Sequence, residues 1–235
     1  MTRSASVGIL RMDNRIPRIP GDIGNPGTFD FAVTYRRIDG STNQRVVYER
    51  DASLLAPYLE GARELEGEEV SSITTTCGFL AMFQPELASS VRIPVFTSSL
   101  LLVPLVHRMI GADRRVGILT ADSGALGELH FQAAGWSAAD VPIAVRGMQN
   151  GPGFRGYIDD RPEVDVELIG REMADAARAL VREHPDVGAI VLECTNMAPY
   201  AHLVQGAVGL PVFDVQLLAK LVHDATHRGP YDTSR

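Results

Sequence analysis

Two side chains in this 235-residue chain stand out for their chemistry: Cys77 and Cys194, its only thiols. A thiol placed at a helix N-terminus feels the positive end of the macrodipole, which pulls its pKa below the free value of about 8.5. One thiolate and one thiol on opposite sides of a substrate carbon suit a two-base reaction. The thiolate takes a proton from one face, the thiol returns one to the other, and the roles reverse in the opposite direction. Backbone N–H groups just after each cysteine, at Gly78–Phe79 and Thr195–Asn196, suit a carboxylate and a developing enolate. Such chemistry calls for no cofactor and no metal. Composition agrees, because Lys220 is the sole lysine and a Schiff base needs a lysine amine. Two cysteines are also too few for a four-Cys zinc site or a disulfide-built scaffold.

The elements that would position these thiols are legible as an internal repeat. Val7-Gly-Ile-Leu10 recurs letter for letter as Val116-Gly-Ile-Leu119, and each copy reaches an Asp three residues later, Asp13 and Asp122. Val70–Phe96 aligns without gaps to Val187–Phe213, with eight of 27 pairs identical, Cys77/Cys194 among them. Random pairing would give about two, from average residue usage. The second half carries eight extra residues before its cysteine, and the Gly-, Pro- and Asp-rich stretch 147–162 is where they fit.

Short apolar runs predict strands at 7–10, 33–36, 70–76, 95–97, 116–120, 143–146, 189–193 and 212–214, apolar on both faces as in buried parallel sheets. Helical spacing is clearest over 163–183, between Pro162 and Pro185, and over 52–65 behind Asp51. Strand–helix alternation in a repeat this long predicts an α/β fold of two pseudosymmetric lobes. Each is a small parallel sheet flanked by helices, with the active site in the cleft between them. The lobes are expected at 1–104 plus 214–235, carrying Cys77, and 105–213, carrying Cys194. Each cysteine then lies at the carboxyl end of a buried strand, the edge where open α/β sheets bind ligands.

Val7-Gly-Ile-Leu10, Thr75-Thr-Cys-Gly-Phe79, Val116-Gly-Ile-Leu-Thr120-Ala-Asp-Ser123 and Glu193-Cys-Thr-Asn196 together resemble the aspartate/glutamate racemase superfamily. That group also holds hydantoin racemases, maleate isomerases and arylmalonate decarboxylases. The resemblance implies cofactor-independent chemistry, Cys77 and Cys194 as the catalytic pair, and a C-terminal helix packed back on the first lobe. It implies substrate contacts from Thr120 and Ser123, with Asp13 or Asn14 as first-lobe counterparts and Thr76, Gly78, Phe79, Thr195 and Asn196 flanking the thiols. Amino-acid racemases of the group commonly follow the first Cys with Asn-Thr, and glutamate racemases follow the second with Thr-His. Here Gly78-Phe79 and Thr195-Asn196 stand instead, which argues against glutamate as substrate.

The leading expectation is therefore an isomerase, a racemase or epimerase of a small carboxylate-bearing compound of amino-acid or hydantoin type. Alternatives on the same fold are cis-trans isomerisation, decarboxylation, or plain binding of a small acid. Asp13, Asp122, Thr120 and Ser123 suit helix caps as well as substrate contacts, and Arg11, Arg15 and Arg18 suit a solvated loop face as well as a carboxylate clamp. A net charge of −7 excludes a generally basic nucleic-acid binder. No apolar stretch reaches bilayer length, so neither membrane nor nucleic-acid partners are expected. The absence of a signal-like N-terminus points to the cytoplasm. Dimers are common in the group, so a homodimer is allowed, although no interface signal stands in the sequence.

Overall fold

The computed structural model describes residues 6–229. Two four-stranded parallel sheets form its centre. The first holds β1 (Val7–Met12), β2 (Val33–Ile38), β3 (Ser72–Thr75) and β4 (Val95–Phe96) in the order β2-β1-β3-β4. The second holds β5 (Arg115–Thr120), β6 (Ile143–Gly147), β7 (Val187–Leu192) and β8 (Val212–Phe213) in the matching order β6-β5-β7-β8. All eight strands anticipated from the apolar runs are present, and the α/β class holds. Several ends shift, as where β3 is confined to Ser72–Thr75 and a 3₁₀ turn, Ala52–Leu54, precedes the helix Leu55–Gly67, and at two of them a side chain takes over. Asp214 does not extend β8; its carboxylate accepts from Leu217 N–H at 2.9 Å and caps α8 (Val215–Thr226). The long helix α6 (Val166–Glu183) starts three residues later than its spacing suggests, because Asp165 is its N-cap and accepts from Leu168 N–H.

The repeat is reproduced element by element. After β3 and Cys77 comes a 3₁₀ segment, Gly78–Phe83, then α2 (Gln84–Ser90) and β4. After β7 and Cys194 comes a 3₁₀ segment, Thr195–Tyr200, then α7 (Ala201–Val208) and β8. The repeated Val-Gly-Ile-Leu has a packing reason. A Cβ on Gly8 would meet Leu65 and Val70 at 3.1 Å, and one on Gly117 would meet Leu180 at 2.9 Å and Val187 at 3.1 Å. In each half, a leucine from the helix crossing the central strand lies directly on the glycine. Those helices are α1 (Leu55–Gly67) and α6. Glycine is retained there because helix and sheet approach too closely for a side chain.

The halves are not separate in packing. One apolar cluster runs from Ile9, Leu10 and Ile73 on the first sheet to Ile118, Ala189 and Val191 on the second. α8, although the last of the described elements, packs on β3 of the first sheet. No helix among the described residues is long and apolar enough to cross a membrane. Gly117→Val should overpack the α6–β5 contact and lower stability by about 1–3 kcal/mol, visible as a reduced denaturation midpoint in guanidinium; an unchanged midpoint would remove the close-approach explanation.

Candidate active site

A narrow cleft lies at the carboxyl ends of β1, β3, β5 and β7, where both cysteines open into it. Cys77 and Cys194 are free thiols, each partly exposed to that space. Of the residues singled out in the sequence, Asn14, Thr76, Phe79 and Asn196 line the same cleft. The others are placed differently. Asp13 accepts from Arg37 at 2.6 Å and Gly40 N–H at 2.9 Å, closing the end of the β1–β2 pair. Ser123 exchanges hydrogen bonds with the Gln149 side chain. Thr120 is fully buried and sits 2.7 Å from Glu193 Oε2. Thr195 Oγ1 donates to the Thr76 carbonyl at 2.8 Å, across the two halves. Gly78 lies under the cleft, against Glu193.

Several walls carry no motif in the sequence. Val47 and Tyr48 come from a single π-helical turn, Gln44–Tyr48, after β2, with Asn43 just before it. Phe154, Tyr157 and Ile158 come from the equivalent position after β6, where α5 (Arg155–Ile158) forms. The second half's extra residues fall mostly in α6, 18 residues long against 13 in α1, rather than in the expected stretch 147–162, because a Gly- and Pro-rich composition marks an irregular segment and not an insertion. Glu172 on α6 anchors that stretch by accepting from Gly153 and Phe154 N–H, both at 2.8 Å. The two wall segments meet over the cleft. Asn43 Nδ2 donates to the Tyr157 carbonyl at 2.9 Å and the Ile158 carbonyl at 3.2 Å. Tyr48 hydrogen-bonds Asp122, and Arg15 N–H donates to Asp160 at 2.6 Å.

The loop 13–32 supplies a buried network behind the polar side of the cleft. Arg18 pairs with Asp22 at 3.1 Å, their side chains only 7% and 1% exposed. Arg18 also donates to Asn14 Oδ1 at 2.9 Å, while Asn196 Nδ2 donates to Asp22 at 2.6 Å. Cys194 Sγ in turn donates weakly to Asn196 Oδ1 at 3.6 Å. Of the three arginines considered for a carboxylate clamp, Arg18 is thus engaged in holding Asn14 and Asp22, and Arg15 joins the loop to Asp160.

The thiol electrostatics run opposite to the helix-dipole expectation. Burial pushes the Cys77 thiol up to about 12, with the Glu193 charge adding to the rise; Phe79 and Leu80 N–H groups and Arg18 counter it only in part. Cys194 is raised well above its ordinary value by burial and then by Glu193 and Cys77, with Asp22 adding a further like charge. Desolvation outweighs the few N–H dipoles of a short 3₁₀ segment. Among the described residues, the cleft lining contains no Lys, Arg, His, Asp or Glu. It is a neutral box of aromatic faces and amides around two protonated thiols.

Residues 31–221 match the model of the Asp/Glu/Hydantoin racemase family. A dimethylsulfoniopropionate lyase from Durusdinium sp. clade D is 34% identical over 217 residues, spanning 90% of this chain and 72% of that protein. Dimethylsulfoniopropionate lyase 6 of Emiliania huxleyi is 31% identical, and the chain spans 56% of its length. In solved structures, a mutant of arylmalonate decarboxylase in its sulfate-associated form shares the fold with a TM-score of 0.64 at 16% identity, covering 98% of each chain. A putative Asp/Glu racemase from Yersinia pestis does so at 0.59 and 11%, covering 94% of this chain and 99% of that one.

These findings correct the expected isomerase: the curated relatives are lyases. The lining is consistent with the correction, since its described residues offer no acidic group to an amino acid's ammonium. The chain belongs to the Asp/Glu/Hydantoin racemase family.

Proposed function

We propose that this chain is a lyase of dimethylsulfoniopropionate or a close β-sulfonio carboxylate, releasing dimethyl sulfide and leaving acrylate. The reading is carried by the relationship to dimethylsulfoniopropionate lyases over 90% of the chain. The cleft supports it. The substrate is a zwitterion with no net charge, and the lining is neutral. The rings of Tyr48, Phe79, Phe154 and Tyr157 line the cleft, and an aromatic face turned to a desolvated cation attracts it by about 0.5–2 kcal/mol. Asn14 and Thr76 supply donors suited to a carboxylate, while Asn43 and Asn196 spend theirs on the Tyr157 and Ile158 carbonyls and on Asp22, and Arg18 behind Asn14 polarises that amide.

The reaction asks for one base and one charge stabiliser. A thiolate removes a proton from the carbon beside the carboxylate. The C–H electron pair becomes the C=C bond, and the C–S pair leaves with sulfur, which turns from sulfonium to neutral sulfide. The surroundings favour Cys77 as the base, since the N–H groups of Phe79 and Leu80 and the charge of Arg18 all support its anion. Cys194 faces Asp22 as well as Glu193, both of which oppose its ionisation, which suits a donor to the enediolate that develops on the carboxylate. The bound sulfonium itself lowers the cost of placing a thiolate nearby.

Dimethyl sulfide release, followed by headspace gas chromatography, tests the assignment. Cys77→Ala should lower kcat/KM by about 10³–10⁴ and Cys194→Ala by about 10²; wild-type turnover in either would overturn it. Burial raises both thiols, so the neutral form prevails near neutrality and the base forms only as pH rises. Release should therefore climb throughout the interval from about pH 7 to pH 10, and a falling profile would contradict a thiolate base. Phe79→Leu keeps an apolar wall but removes a π face. It should raise KM for the sulfonium substrate about 3–30-fold and leave inhibition by 4-methylpentanoate, its uncharged-tail isostere, unchanged.

A further inference from the structure

The most unusual buried group is one that proton abstraction does not use. Glu193 is fully buried at the end of β7, immediately before Cys194. Its Oε2 lies 2.7 Å from Thr120 Oγ1, and Ala121 N–H also donates to the carboxyl. Its Oε1 is buried with no hydrogen-bond partner among the described residues. That orphan oxygen points at the other half: a Cβ on Gly78, next to Cys77, would sit 2.2 Å from Glu193 Oε1 and 2.2 Å from its carbonyl oxygen. One carboxyl is therefore wedged between the two cysteine-bearing turns. An ionised carboxylate with an unpaired oxygen in such a place is costly, whereas a protonated one is tolerable.

We propose that Glu193 is a positioning residue, a wedge between the cysteine turns that leaves the thiols unopposed while it is neutral and makes either of them harder to ionise once it carries charge. Burial is what holds the carboxyl up to about 7, with Thr120 and Ala121 pulling the other way. The titratable groups it acts on are Cys77 and Cys194, whose ionisation its charge opposes. From the 13–32 loop, Arg18 favours the Cys77 anion and Asp22 opposes that of Cys194; neither is altered by substituting Glu193. Below the Glu193 titration, wild type and the Glu193→Gln variant should present equally ionisable thiols. Above it, wild type carries a carboxylate beside the thiols and the variant does not. Thus the effect has a sign and a window: removing the acid makes the thiols more reactive, only on the alkaline side of neutrality.

The inference concerns the same cleft but does not require the lyase reading, and its test needs no substrate. Thiol modification by methyl methanethiosulfonate, followed at each cysteine by mass spectrometry, should be about tenfold faster in Glu193→Gln than in wild type near pH 8.5 and equal near pH 6. Thr120→Val removes a contact that favours the charged carboxyl, so it should speed modification in the same direction around pH 7 to 8 without touching Glu193. A constant rate ratio across pH in both variants would reduce Glu193 to packing and overturn the proposal, even if Glu193→Gln folds poorly. If the ratio moves as stated but no dimethyl sulfide is released by wild type, the function assigned above fails and the role of Glu193 stands.

Discussion

The contact on which the cleft depends is the one that fastens the two cysteine turns to each other. Thr195 Oγ1 reaches the Thr76 carbonyl at 2.8 Å, Ser99 Oγ reaches the Leu192 carbonyl at 2.7 Å, and Gly78 rests on Glu193 with no room for a side chain. All three join backbone to the opposite half within a residue or two of a thiol or of the strand that delivers it. Buried hydrogen bonds of this kind contribute only about 1 kcal/mol each, yet losing a partner would strand a desolvated group. The thiols are consequently set by neighbouring main chain rather than by long side chains, which limits how far their separation can drift.

Charge management is the second theme. The ionic groups nearest the cleft are withdrawn one layer behind it. The Arg18–Asp22 pair sits behind Asn14 and Asn196, and Glu193 sits behind Gly78 and Cys194. Amides and aromatic faces are what remain in front. A buried pair such as Arg18–Asp22 adds little net stability, but it fixes two amides in orientation, because each carboxylate oxygen and each guanidinium N–H in contact with them has only one complementary end to offer. The same withdrawal leaves both thiols without a cationic neighbour among the described lining residues, which is why burial dominates their ionisation.

How much of this could be read from the sequence follows from what each feature depends on. The strands, the repeat and the equivalence of Cys77 and Cys194 were legible because buried parallel strands write themselves as unbroken apolar runs, and Val-Gly-Ile-Leu marks a helix resting on its glycine. The aromatic walls were not, since Tyr48 and Tyr157 owe their positions to turns whose geometry is set by distant partners such as Glu172 and Asn43. Thr120 resembles a substrate contact by likeness of motif, whereas in the fold its hydroxyl is occupied by Glu193. The thiol shifts run against the expected direction because helix dipoles can be read locally and desolvation cannot. An acid closing an otherwise apolar run, as Glu193 closes Ala189–Leu192, was the one local sign that something unusual lay beneath.

The wall after β6 carries different side chains from its partner after β2, and that inequality has a geometric consequence. A cleft with true twofold symmetry would accept a small ligand equally well either way round, and each thiol would meet each end of it. With Phe154 and Tyr157 on one side and Val47 and Tyr48 on the other, the two poses differ in energy. Racemisation gains from equivalence, because the forward and reverse directions need mirror-related bases. Elimination gains from its loss: a single pose dedicates one sulfur to the proton and frees the other from ever having to return it.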